Sequence, residues 1–178
     1  SLTAQKKNVF NITAFLNYSD AAFILYSPFL VTTRLNAYYF GLNGEYKLKN
    51  NLVVSGKYGY VDVSDENSGN LLVFRLGKVF ESDITAGYEY YFYSFKTETQ
   101  LYWSPKNFES HSIWGDWILY DDETCDFIIG GKIGLIPQND FIVSEFYASI
   151  NYQIIKNLLF QTRFTTGSSF RSNTGYRS

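Results

Sequence analysis

The sequence predicts an all-β protein: an antiparallel meander of about 10–12 strands closed into a transmembrane β-barrel, one domain over residues 1–178. Three observations carry that prediction. Period-two alternation of apolar and polar residues runs through most of the chain, and helical periodicity is nearly absent. The alternating segments are about ten residues long and are separated by short polar breaks, the spacing of hairpin-connected strands. Aromatic residues reach 20%, with 16 Tyr and 16 Phe; these types suit a pleated surface, and tyrosine suits a boundary that is dry on one side and wet on the other.

Taken in order, residues 8–18 put Phe10, Ile12, Ala14, Leu16 and Tyr18 on one face and Asn11, Thr13 and Asn17 on the other. Residues 34–48 follow with Tyr38, Phe40, Leu42, Tyr46 and Leu48, and after a break at Lys49-Asn50-Asn51 come Leu52, Val54, Tyr58 and Tyr60. The polar stretch DENSGN (65–70) reads as a loop, followed by Leu72, Phe74 and Leu76. A turn at Glu81-Ser82-Asp83 leads to Ile84, Ala86, Tyr88, Tyr90 and Phe92. Further segments cover 110–120, 125–136, 141–154 and 158–167, broken at DDET (121–124), PQND (137–140) and IKN (155–157). Segments 19–33 and 96–109 have no clear period, and each is open to a further strand.

One two-stranded unit occurs twice. EYKLKNNLVVSGKYGY (45–60) aligns with NYQIIKNLLFQTRFTT (151–166), matching Tyr46 with Tyr152, Asn51 with Asn157 and Lys57 with Arg163. The repeated hairpin is the building unit of a barrel, and its cation lies out of phase with the apolar stripe.

That opposite phase holds about one ionisable residue per strand: Glu45, Lys57, Arg75, Glu89, Asp116, Lys132, Glu145 and Arg163. Around them lie Asn43, Ser55, Thr85, Ser112, Ser149, Asn151, Gln161 and Thr165, with glycines at 59, 77, 87, 130 and 134. A solvent-facing strand surface in a soluble sandwich or lipocalin-like barrel would carry several Lys and Glu per strand. A membrane barrel turns its apolar face to lipid and keeps isolated, cross-strand-paired charges inside. The expected lumen pairs are Glu45 with Lys57, Arg75 with Glu89, Asp116 with Lys132, and Glu145 with Lys132 or Arg163. Lipid contacts are expected from Phe10, Phe40, Leu42, Tyr58, Phe74, Tyr88, Ile133, Phe146, Ile150 and Phe160.

Composition narrows the function classes. A net charge of −2 gives no electrostatic footprint for nucleic acid. Cys125 is the single cysteine, so no internal disulfide forms, and no metal or other cofactor is implied. No run of 18 apolar residues exists, as a transmembrane helix would need. The chain contains no Met, which reads as a processed protein or a fragment, with SLTAQ as the tail of a cleaved signal peptide.

In LYWSPKNFESHSIWGDWILY (101–120), the step Tyr102, Ser104, Pro105, Lys106, Asn107, Phe108 leads into an alternating strand. It resembles the aromatic-Ser-Pro element of YaiO-like bacterial outer-membrane barrels and of the barrel domains that follow tetratricopeptide repeats in exopolysaccharide exporters. A shorter match, LYSPF, lies at 25–29, and the resemblance covers about residues 84–178. It implies a porin-like outer-membrane barrel without enzymatic activity, serving as the channel or membrane part of a polysaccharide-export or envelope assembly. Its implied partners are the lipid bilayer, a periplasmic tetratricopeptide-repeat domain and a polysaccharide. Such barrels end in an aromatic-closed strand, whereas this chain stops at Gly175-Tyr176-Arg177-Ser178, where that strand would start, so truncation is expected.

Other candidate sites have plainer readings. His111, the only histidine, is flanked by Ser110 and Ser112 and could serve an outer-membrane lipid hydrolase. Strand alternation turns those serines to the opposite face, against a nucleophile–base pair. Asp121-Asp122-Glu123 could hold calcium but reads more simply as a solvated turn. Asn11 and Asn17 form sequons relevant only to a secreted eukaryotic protein. Trp103, Trp114 and Trp117 could stack on sugars but read first as interface girdle residues. A soluble carrier of an apolar ligand is the remaining alternative.

Overall fold

The computed structural model describes residues 2–168, except Lys7, Asn8, Tyr26, Ser82, Glu123, Asn139, Lys156 and Asn157. Ten strands form one sheet in chain order: β1 (Leu2–Lys6), β2 (Phe10–Asp20), β3 (Asn36–Lys47), β4 (Leu52–Val63), β5 (Ser68–Val79), β6 (Ile84–Phe95), β7 (Phe108–Asp121), β8 (Cys125–Ile136), β9 (Phe141–Ile155) and β10 (Leu158–Gly167). Every pairing joins chain neighbours and is antiparallel. The expected meander is present at the low end of its strand range. Among the described residues the expected ring closure is not: β1 and β10 are the two edges of the sheet they form. β1 offers only five residues for pairing, whereas β10 runs for ten.

Connections differ sharply between the two ends of the strands. At one end they are short, and Asn50 (φ 62°), Asn51 (φ 60°) and Asp83 (φ 57°) take up the left-handed backbone that tight hairpins need. At the other end only four residues separate β4 from β5 and β8 from β9, but the connections 21–35 and 96–107 are long. Neither unclear segment is a strand. The first forms one helical turn, α1 (Ala21–Leu25), whose leading Ala22 N–H donates to Asp20 Oδ1 at 2.8 Å, and then a 3-10 turn over Pro28–Thr32. Proline presets φ and lacks an N–H, which starts a helical turn well and continues a sheet ladder badly.

The two faces separate as the alternation predicts. Phe40, Leu42, Tyr58, Phe74, Tyr88, Ile133, Phe146, Ile150 and Phe160 all stand exposed on the apolar face, with Phe10 half-buried beside them. Among the described residues buried apolar side chains are few, and most gather in one cluster at the long-connection end: Ala21, Leu30, Ala37, Val61, Val63, Phe95 and Tyr102, with Trp114 and Ile136 buried outside it. Ala21 and Leu30 come from the first long connection and Tyr102 from the second. The two therefore fold together onto the ends of β3, β4 and β6 as a cap.

Candidate functional site

The site is the polar face. Alternation along β3 to β10 turns the eight predicted ionisable residues to that face, and the sheet curls around them. One cavity of about 580 Å³ is lined by Asn11 and Thr13 of β2, Glu45 of β3, Lys57 of β4, Arg75 of β5, Glu89 of β6 and Lys132 of β8. Six strand spacings would separate β2 from β8 by roughly 29 Å in a flat sheet. Only a strongly curved sheet brings them around one space.

Glu89 is the centre of the charge network. It is 1% exposed, yet two cations reach it. Arg75 is its neighbour across the β5–β6 ladder, with Nη2 2.5 Å and Nε 2.6 Å from Oε2. Lys132 Nζ lies 2.8 Å from Oε1. That contact spans β7, because the residue paired with Glu89 there is the small Ser112. The network continues more loosely, from Lys132 to Glu145 at 3.8 Å and from Glu145 to Arg163 at 3.7 Å. Arg75 also stacks over Trp114, and Arg163 over Tyr147, at 5.1 and 3.8 Å from the ring centroids.

Two expected pairs are not made. Asp116 sits across the ladder from Gly130, while Lys132 sits across from Trp114. Asp116 instead accepts the Tyr147 hydroxyl, and the glycine is what lets the Tyr147 ring lie there: a Cβ on Gly130 would overlap both the ring and the carboxylate. Glu45 and Lys57 line the same cavity, but register places Lys57 opposite Asn43 and Glu45 opposite Ser55. Among the described residues no ion pair joins them. Of the repeated hairpin cations, Arg163 is therefore ion-paired, whereas Lys57 faces the open cavity.

A second cavity of about 290 Å³ lies toward the long-connection end. Tyr91, Trp103, Phe108, Ser110, Glu145 and Thr165 are among its walls. Tyr91 and Lys132 line both cavities, so the two spaces adjoin at these side chains. The polar-face aromatics were missed in the sequence. β6 reads ITAGYEYYFYSF, aromatic in both phases, and Tyr91, Tyr93 and Phe95 were hidden behind Tyr88, Tyr90 and Phe92.

The Tyr-x-Ser-Pro-Lys-Asn-Phe step builds the cap. Tyr102, 1% exposed, packs its ring on Phe95 at 5.6 Å, donates its hydroxyl to Asp65 Oδ2 at 3.0 Å and accepts from Asn67 Nδ2 at 2.8 Å. Phe95 in turn needs Gly69 opposite it, since a Cβ there would strike its ring. Ser104 Oγ accepts the Thr99 N–H at 2.7 Å, and the Pro105 carbonyl accepts the Phe95 N–H at 2.8 Å. Asn107 turns the chain at φ 53° into Phe108, the first residue of β7, while Lys106 is exposed. The shorter LYSPF match belongs to the same cap: Ser27 Oγ donates to the Leu101 carbonyl at 2.7 Å.

Burial, reinforced by the Asp65 carboxylate, pushes the Tyr102 phenol above its usual range. The folded value exceeds the unfolded one, so the associated stability is complete below about pH 10 and is lost as pH rises beyond that. Tyr102→Phe removes one hydrogen bond from each of Asp65 and Asn67, which keep their bonds to each other and to Thr97. The substitution is expected to cost about 1–3 kcal/mol. It should also flatten the alkaline part of a stability–pH curve, measured by chemical unfolding in detergent.

The remaining candidates fall outside the network. His111 stands exposed on the apolar face with its Nδ1 2.5 Å from the Tyr88 hydroxyl, while Ser110 and Ser112 are buried on the other face. Histidine and serine are thus not brought together. Asp122 organises its own turn, accepting from Tyr120, from the Thr124 backbone and hydroxyl and from the Cys125 N–H. Those donors hold its carboxyl far below the usual range. No group of three or more His, Cys, Asp or Glu residues is placed to hold a metal among the described residues; Glu123 lies outside them, as do the Lys156-Asn157 turn and Gly175–Ser178. The tryptophans divide. Trp117 stands exposed on the apolar face, as a girdle residue would, but Trp114 is 8% exposed above Arg75 and Trp103 lines the smaller cavity. The girdle expectation is corrected for those two.

No family model matches the chain, and no curated protein is significantly similar to it. A solved structure described as a bacterial polysaccharide outer membrane secretin is similar with a TM-score of 0.66 at 9% identity, over 93% of this chain. The chain spans 59% of that structure's length. At this identity the likeness is one of fold: an all-β meander of the kind found in an outer-membrane polysaccharide secretin.

Proposed function

We propose that the chain is a non-enzymatic outer-membrane protein, a transmembrane β-barrel or a large sector of one, serving as the membrane part of a polysaccharide-export or envelope assembly. The apolar face carries the reading. From Leu16 and Tyr38 through Ile113 and Ile133 to Phe164, large apolar side chains stand exposed on strand after strand, while charge is gathered on the opposite face. Soluble monomers rarely expose contiguous apolar patches beyond a few hundred Å². A carrier of apolar ligands would have the opposite polarity, with its dry side chains inside. A bilayer suits the observed arrangement, provided that the edges of β1 and β10 are satisfied by closure.

The unequal ends fit the same reading. Outer-membrane barrels have short periplasmic turns and longer extracellular loops, which puts the cap of residues 21–35 and 96–107 on the outside. A periplasmic tetratricopeptide-repeat domain would then meet the short-turn end, and the two adjoining cavities would form the path for a saccharide.

Lipid quenching tests the membrane reading without depending on closure. In vesicles with brominated acyl chains, Trp117 emission is expected to be quenched and Trp114 emission spared, read in variants that each keep one of these two tryptophans. An unquenched Trp117, or a chain that folds as a monomer without detergent, overturns it. For passage, Lys132→Ala removes the ammonium between the cavities and is expected to raise bilayer conductance above a low wild-type level. A large, steady wild-type pore would refute a lumen braced by these charges.

A further inference from the structure

We infer that the smaller cavity is a saccharide subsite that takes one or two uncharged pyranose rings against Trp103. This deepens the export reading above and rests on it for the route by which a saccharide arrives. The cavity has two kinds of lining. One is aromatic: Trp103 packs edge-on against Phe108 at 5.1 Å, and Phe108 meets Tyr91 edge-on at 5.9 Å, so each ring is braced by the next. The other kind of lining is polar: Thr165 and Glu145 of the neighbouring strands, Lys132, and Ser110, which sits across the ladder from Tyr91. A pyranose has the same two kinds of surface, a face of C–H bonds and a rim of hydroxyls. At about 290 Å³ the space lies at the small end of ligand pockets.

The charges at the site select against an ionic ligand. Lys132 and Glu145 face each other at 3.8 Å, and Arg163 balances Glu145 from the other side at 3.7 Å. Each cation is already partnered, since Lys132 also reaches Glu89 at 2.8 Å and Arg163 lies over the Tyr147 ring, so none is left over for an anionic ligand. Both Glu145 distances exceed hydrogen-bonding range, so the Glu145 oxygens retain the capacity to accept from a sugar hydroxyl. Glu89 contrasts with it, since its two oxygens are already taken at 2.5–2.8 Å. The subsite adjoins the larger cavity at Tyr91 and Lys132, which line both.

The test uses the detergent-folded chain carrying Trp114→Phe and Trp117→Phe, so that Trp103 alone reports. Cellobiose and N,N′-diacetylchitobiose are titrated in and indole emission is followed. A saturable change is expected, weakened roughly tenfold by Glu145→Ala, the scale of one lost hydrogen bond, and unchanged by Lys57→Ala in the other cavity. Should the double variant fail to fold, the difference between wild type and Trp103→Phe gives the same reading. No saturable response to either disaccharide, or one indifferent to Glu145→Ala, overturns the subsite. Oligosaccharide block of the bilayer current separates the two proposals. Block without a Trp103 response removes the subsite and keeps export; a Trp103 response without block or passage keeps the subsite and removes export.

Discussion

Glu89→Ala is expected to destabilise the folded chain by about 3–5 kcal/mol, the range for removing one partner of a buried ion pair. Its carboxylate is 1% exposed and takes Arg75 on one oxygen and Lys132 on the other, so its loss leaves two cations facing each other across a cavity. Arg75 and Lys132 are themselves 36% and 25% exposed, and solvent can reach them, which places the expected cost toward the lower end. Glu145→Ala is the control. Its pairs are long and its side chain is 34% exposed, so a cost below about 1 kcal/mol is expected. Urea unfolding in detergent micelles measures both. Equal effects at the two positions would mean that the network has no tight centre.

Phe40→Arg is expected to cost about 2–4 kcal/mol in a bilayer, against about 0–1 for Phe160→Arg. Both side chains stand exposed on the apolar face, but their positions along the strands differ. Phe40 is the fifth residue of the twelve-residue β3, flanked across the ladders by Leu16 and Tyr60, so it lies at mid-depth. Phe160 is the third residue of β10, beside the short-turn end, where an arginine can reach the interface. The comparison is made by reversible unfolding from vesicles. A negligible cost at Phe40 would contradict the assignment of the apolar face to lipid.

Alternation was enough to read nine of the ten strands and their faces, because a one-residue slip would have moved Phe40 or Arg75 to the wrong side. Five-residue β1 (Leu2–Lys6) is too short to show a period and reads as the tail of a leader. Arg75 with Glu89 and Glu145 with Arg163 were also legible, since each pair sits directly opposite or close by on neighbouring strands. Asp116 with Lys132 was not, because pairing depends on which side chains are short. Ser112 and the glycines on β8 open a route over β7 that no linear spacing reveals. The cap was hidden for a different reason. Segments 21–35 and 96–107 have no period, and their meaning lies in contacts such as Ser27 with Leu101, between residues 74 apart. Closure lay beyond alternation altogether, which specifies neighbours but not whether the first strand meets the last.

Glu89 ties β5, β6 and β8 together through side chains, in addition to the backbone ladders that run through β7. A ladder can open one rung at a time, but a carboxylate shared by cations from both sides cannot release either strand without exposing a charge. β5 to β8 are thereby joined into one cooperative unit, while five-residue β1 has a single ladder and no such tie. Opening of this sheet is therefore graded from its edge inward, and the block around Glu89 is the last to let go.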